Sequence, residues 1–417
     1  MNFYSAAPSR DATGRGPAGP VTASPGPLFD KSLAVAWILV LYSNLAVYIG
    51  IFVLPALQPI HWIAGLAAAT LVLLALPQSV ARNIPWAFPT ALACYAAICL
   101  LAYVAQGGGD PTILKQRILS LLLALFAFLV FTSSPAALHA ARRALVGVLL
   151  LSVVVNFYDI THPLTLVPAT SEFATLGRAA GFFMNPNQAG AALVLGLALS
   201  LGVVAPRWRL PFLVFVSAGV ALTLSRGALL GLTLVILALF VTGRDLRPSQ
   251  VVKAVLAVGI LGYAAWQVFA AEFESRFSID PDLVRDRILW ILDPSGRSDF
   301  SQADRLLLAE RGWLQFVASP FWGTGLGSTE LWEVSQSTHN LYLMLASDFG
   351  LAGFLVFPFI VAIAVGRRVF SLTGGIAAAF LLMWGLLSHN PLTEFYMMLG
   401  IALMAAINHG STHADRD

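Results

Sequence analysis

Apolar residues in this chain gather into blocks of roughly 17–25 positions, the length that crosses a bilayer's hydrocarbon core, and polar residues fall in the gaps. The blocks predict twelve membrane-spanning helices, near residues 33–55, 60–77, 86–105, 118–134, 143–157, 188–205, 210–224, 227–243, 251–270, 349–366, 371–388 and 392–408. Two long polar interruptions remain, 158–187 and 271–338. Residues 1–30 are rich in Pro, Gly, Ala and Ser and lack the apolar stretch of a cleavable signal, so a disordered tail is expected there. The expected fold is an all-α integral membrane protein of about twelve helices, with one large loop between spans 9 and 10. Its parts are a tail over 1–30, nine spans within 31–270, the loop 271–348, three spans within 349–410, and a tail over 411–417. No internal repeat is visible.

Composition agrees: 58% of residues are hydrophobic and 11% charged, against roughly 25% charged in soluble domains. The net charge of +3 and the dispersed basic residues exclude nucleic acid as a partner. Cys94 and Cys99 share one apolar block and read as buried packing rather than a disulfide. No Cys-x-x-Cys or His-x-x-x-His spacing suggests a metal site. With the N-terminus inside, fourteen Lys and Arg fall inside and ten outside. Setting aside the long loop, which translocates regardless of charge, leaves four outside. Both termini are therefore expected inside and both long polar segments outside.

Candidate chemistry clusters on that outer face. Arg178 precedes Gly181-Phe182-Phe183-Met184-Asn185-Pro186-Asn187-Gln188, where Asn187 is placed to cap the next helix. Arg226 lies in the turn Ser225-Arg226-Gly227, and an arginine at an apolar boundary either binds an anion or snorkels as an anchor. After Asp304-Arg305, the apolar residues Leu306, Leu307, Trp313, Leu314 and Phe316 predict an amphipathic helix on the bilayer surface. The turn Gly323-x-Gly325-x-Gly327 lacks a Rossmann frame and reads as a tight loop whose amides can approach a phosphate. His339 opens a helix that Ser337 or Thr338 can cap, and the positive helix end should lower its imidazole pKa. His339 is thus a candidate base, or else a structural hydrogen-bonding residue. His389 reads as a turn residue, and Glu330 and Glu333 as a reserve base. Trp290, Trp313, Trp322, Trp332 and Tyr342 read as an interfacial belt, with one or two able to stack on sugars.

Three blocks together resemble the O-antigen ligase and O-antigen polymerase superfamily of bacterial inner-membrane glycosyltransferases. They are Arg178 to Gly190, Ser225-Arg226-Gly227, and Asp304-Arg305 through Pro320, the glycine turn and His339-Asn340 to Gly350-Leu351-x-Gly353. The single large outer loop and the length of 417 residues look most like an O-antigen ligase. The resemblance implies a GT-C-like fold in the inner membrane, a periplasmic site and no cofactor. The partners it implies are undecaprenyl-diphosphate-linked O-antigen as donor and lipid A–core as acceptor, among membrane lipids. In this picture His339 takes the acceptor proton, Arg178, Arg226 and Arg305 bind the diphosphate in place of a metal, and Asn340 orients the His ring or a phosphate, or caps the helix. Asp280-Pro281-Asp282 has the spacing of a metal pair but reads as a turn. An O-antigen polymerase or protein O-oligosaccharyltransferase would use the same donor and base. A transporter or flippase would be marked by repeats and paired broken helices.

Overall fold

The computed structural model describes residues 26–76, 84–107, 110–174, 177–243, 246–276, 300–332, 337–366 and 372–410. The expectations for the extreme tails, for Asp280 and Asp282, and for Trp290 and Glu333 lie outside the described residues. Every regular element among the described residues is helical. In chain order these are α1 (Gly26–Trp37), α2 (Leu45–Tyr48), α3 (Pro59–Ala75), α4 (Ala87–Ala105), α5 (Pro111–Phe131), α6 (Pro135–Thr161) and α7 (Pro186–Ser200). Then come α8 (Pro206–Leu222), α9 (Arg226–Thr242), α10 (Pro248–Arg276), α11 (Phe300–Ala318), α12 (Leu341–Val365), α13 (Leu372–Leu387) and α14 (Phe395–Gly410).

Local sequence explains the starts. Pro opens α3, α5, α6, α7 and α8, where its fixed φ suits the first turn and its missing N–H costs nothing. Side chains of Asp110, Ser134, Asn185, Ser225 and Asn340 accept from the exposed amides of α5, α6, α7, α9 and α12. Helical segments coincide with all twelve apolar blocks. Among the described residues, α4, α5, α6, Pro186–Val203 and α12 are individually long and apolar enough to cross a membrane. The bent pair Leu28–Tyr42 and Leu45–Val53 passes the same test only when its two pieces are taken together as one broken span; the alternative is a re-entrant loop.

α7 is the axis of the bundle: 78% of its apolar window is buried, and α6, α8, α9, α13 and α14 surround it. Its composition of Ala, Gly and Leu permits this close packing, which drives helix association where lipid offers no hydrophobic gain. A Cβ added at Gly190 would meet the Ala228 Cβ at 2.5 Å, so the starts of α7 and α9 are in direct contact.

Two breaks were not visible in the hydropathy pattern. The first span bends by 56° at Ser43–Asn44, where Asn44 is left-handed (φ 61) and its Nδ2 donates to Phe182 O at 3.0 Å. The second corrects the tenth expected span: α12 begins at Leu341, not 349, and breaks at Gly350 (φ 65, ψ −150). Ser347 and Asp348, just before the expected start, are both buried and hydrogen-bonded within the fold. The break frees the Leu351 amide to donate to Pro320 O at 2.8 Å. Cys99 is buried as expected, whereas Cys94 is exposed on the outside of the bundle.

At Gly350 a Cβ would lie 2.5 Å from the Phe321 carbonyl carbon and oxygen, in a backbone region only glycine adopts readily. Gly350→Ala is expected to destabilise the protein by about 1–3 kcal/mol. An unchanged thermal unfolding midpoint would contradict this account of the break.

Candidate active site

Four helices begin at one end of the bundle and point their amino termini into one cavity of about 360 Å³. The start of α7 contributes Asn185, Asn187 and Gln188, and that of α9 contributes Ser225, Arg226 and Gly227. His339 precedes α12, and Glu394 precedes α14. Arg305 on α11 and the turn Ser388-His389-Asn390 after α13 close the ring. Each helix start carries a partial positive charge, so the cavity favours an anion before any side chain is counted. Arg226 and Arg305 add two full charges.

Arg178 stands elsewhere. It does not line the cavity; its Nε donates to Thr223 O at 3.0 Å and its Nη2 to Asn187 Oδ1 at 2.9 Å. It braces the α8–α9 turn, which carries Arg226, against the first turn of α7. Asn187 therefore accepts from Arg178, and the α7 cap is Asn185, whose Oδ1 accepts from Asn187 N at 2.9 Å. Likewise the α12 cap is Asn340 rather than Ser337 or Thr338: its Oδ1 accepts from Leu343 N at 3.1 Å, and it does not line the cavity. His339 itself is left-handed (φ 51), which turns it off the helix axis. The Leu341 amide donates to Ser388 O at 3.1 Å and ties this start to the α13–α14 turn.

The glycine turn is a tight loop, but its amides are already engaged. Gly325 N donates to Asp348 O at 3.0 Å, Gly327 N to Asp348 Oδ2 at 3.1 Å, and Ser328 N to Asp348 Oδ1 at 3.0 Å. The Asp348 carboxylate holds the place where a phosphate was anticipated. Glu330 does not reach the cavity; it pairs with the buried Arg117 of α5. The amphipathic α11 forms as expected, with Leu306, Leu307, Trp313 and Leu314 exposed and Leu308 buried.

Burial lowers the His339 pKa, and the Arg305 guanidinium lowers it further. The expected direction holds, while the causes are desolvation and a cation. His389, read from sequence as a turn residue, stacks edge-on against His339 with ring centroids 5.3 Å apart. Its Nδ1 is buried without a partner, and burial pushes its pKa down to about 3, with His339 and Arg117 adding to the shift. Both imidazoles are thus neutral near pH 7. Glu394 was missed altogether because it sits inside an apolar block. Its Oε1 accepts from Gln188 Nε2 at 3.0 Å and its Oε2 from Tyr396 OH at 2.6 Å. Its one sequence signal is a lone carboxylate in an otherwise apolar span. No group of three or more His, Cys, Asp or Glu among the described residues is arranged to hold a metal ion.

Residues 211–358 match the family model described as O-Antigen ligase. The matched stretch carries Arg226, Arg305 and His339 and is similar to the O-antigen ligase family, whose members are glycosyltransferase-like enzymes. A search of curated proteins found no match.

Followed by NMR in the ligand-free protein, the His339 imidazole should titrate below its ordinary 6.5. Arg305→Gln should move the midpoint upward by removing a repelling cation, while burial still holds it under that value. A downward or absent shift would mean that Arg305 does not face the ring.

Proposed function

We propose that this chain is an O-antigen ligase that transfers glycan from undecaprenyl diphosphate to lipid A–core at the periplasmic face of the inner membrane. In this reading all twelve helical blocks cross the bilayer, both termini lie in the cytoplasm, and the loop between spans 9 and 10 is periplasmic. The observation that supports it best is one cavity joining Arg226, Arg305 and His339, three residues far apart in sequence, at four converging helix starts.

The chemistry follows from that arrangement. The acceptor hydroxyl oxygen attacks the anomeric carbon from the face opposite the diphosphate. As the new C–O bond forms, the bond from the anomeric carbon to the diphosphate oxygen breaks with inversion. His339, neutral at pH 7, takes the hydroxyl proton. The departing diphosphate gains negative charge, which Arg226 and Arg305 stabilise by charge-assisted hydrogen bonds together with the helix ends, a task a divalent cation performs in metal-dependent enzymes. Arg178 acts by holding the Arg226 turn and Asn187 in place.

The test is transfer by purified protein from undecaprenyl-diphosphate-linked O-antigen to lipid A–core in the presence of EDTA. Wild type should build full-length lipopolysaccharide. His339→Ala should lose about 10²–10⁴-fold, and Arg226→Ala should fall comparably while folding normally. Normal transfer by His339→Ala would sink the base assignment, and a requirement for added metal would retire the arginine mechanism. Lengthening of the lipid-linked glycan without transfer to lipid A–core would replace the ligase by a polymerase, and transfer to protein would make it an oligosaccharyltransferase.

Wild-type activity should also fall as pH drops through a value below 6.5, because the base works only unprotonated and its pKa is lowered. An acid limb above 6.5 would assign the proton transfer to another group.

A further inference from the structure

At the far end of α7, about 20 Å from the cavity just described, a second cavity of about 550 Å³ lies between α6 and α8. Its walls are one face of each helix: Val146 and Leu150 on α6, and Trp208, Phe212 and Phe215 on α8. Leu150, Phe215 and Trp208 are exposed, so the groove opens sideways from the bundle rather than inward. The one charged side chain in its lining is the exposed Arg143.

Arg143 has basic company. Arg142 Nε donates to Leu199 O at 3.0 Å and Arg209 Nε to Val204 O at 3.0 Å, so these two guanidiniums bracket the short connection between α7 and α8. Arg207 is exposed on the first turn of α8. α7 and α8 contain no acidic residue, and α6 contains none before Asp159 at its opposite end. α10, which packs on α8, adds Lys253 near its start and has no acid before Glu272. The carboxylate near this end of α6, Asp30, is taken up by the Ser134 hydroxyl and the Lys31 amide.

We propose that this groove binds an anionic phospholipid, with its phosphate at Arg143 and Arg207 and an acyl chain along Val146, Leu150 and Phe215. Guanidinium supplies paired donors to a phosphate, and basic pockets between membrane helices suit acidic headgroups. The sideways opening suits an occupant drawn from the surrounding bilayer. Orienting basic residues need only lie near the membrane surface; an adjoining apolar slot of this size adds a place for a chain.

The test uses the full-length protein in phosphatidylcholine nanodiscs with and without phosphatidylglycerol, counting lipids retained on release by native mass spectrometry. Phosphatidylglycerol should be retained in preference to phosphatidylcholine. Arg143→Gln, at an exposed position, should weaken that retention about fivefold. Val146→Phe should also weaken it, by filling the groove with every arginine intact. Equal retention of the two lipids would overturn the proposal. So would full retention by a folded Val146→Phe, since surface charge alone would then account for binding. If Val146→Phe unfolds, unchanged retention by Arg143→Gln overturns it alone.

Discussion

The arrangement of this protein's functional end rests on one buried carboxylate. Asp348 is fully buried in α12, where a charge without partners costs several kcal/mol. It is supplied by the Gly327 and Ser328 amides and by the Ser328 hydroxyl at 2.8 Å, and its own carbonyl receives Gly325. These bonds seat residues 323–328 against α12, and the Arg117–Glu330 pair fastens the next residues to α5. A carboxylate satisfied by one loop conformation selects that conformation, so Asp348 fixes residues 325–328 against the helix that His339 precedes.

The site that results combines distributed and local charge. Four helix ends and two guanidiniums make the cavity positive, while Glu394, half of whose hydrogen bonding is to Gln188, is the acidic group among its lining residues. His339 and His389 stay neutral because burial makes a further cation costly there. Cationic groups and uncharged imidazoles therefore coexist in one small space. The proposed reaction needs that division: the arginines bind charge and the imidazole accepts a proton.

Much of this was legible in the sequence, for identifiable reasons. Apolar block length gave the helices because a bilayer imposes a fixed span. Arg226, Arg305 and His339 stood out because charge and imidazole are rare beside apolar blocks, and the structure gathers them. Arg178 stood out for the same reason but serves as a brace, since sequence shows a charge and not the carbonyl it meets. The α7 cap falls at Asn185, two residues before the expected Asn187, and of the residues offered for α12 it is Asn340 that caps, because neighbouring Ser, Thr and Asn side chains are equally capable and only backbone angles choose among them. The glycine turn looked open to phosphate because its partner, Asp348, lies some twenty residues later. Glu394 and the role of His389 depend on α13 and α14 folding back beside α7, a contact that no local pattern encodes.

α11 carries a further consequence. It packs chiefly on α12 and leaves Leu306, Leu307, Trp313 and Leu314 exposed. Were that face to rest on a lipid surface, as the sequence pattern leads one to expect, membrane and protein together would set the height of Arg305 above the rest of the cavity. The floor, made by the first turns of α7 and α9, is locked by close helix packing, whereas Arg305 stands on a helix whose outer face is open. The lipid surface would then be a component of the protein's architecture, and a detergent micelle, with its different curvature, would replace a structural part as well as a solvent.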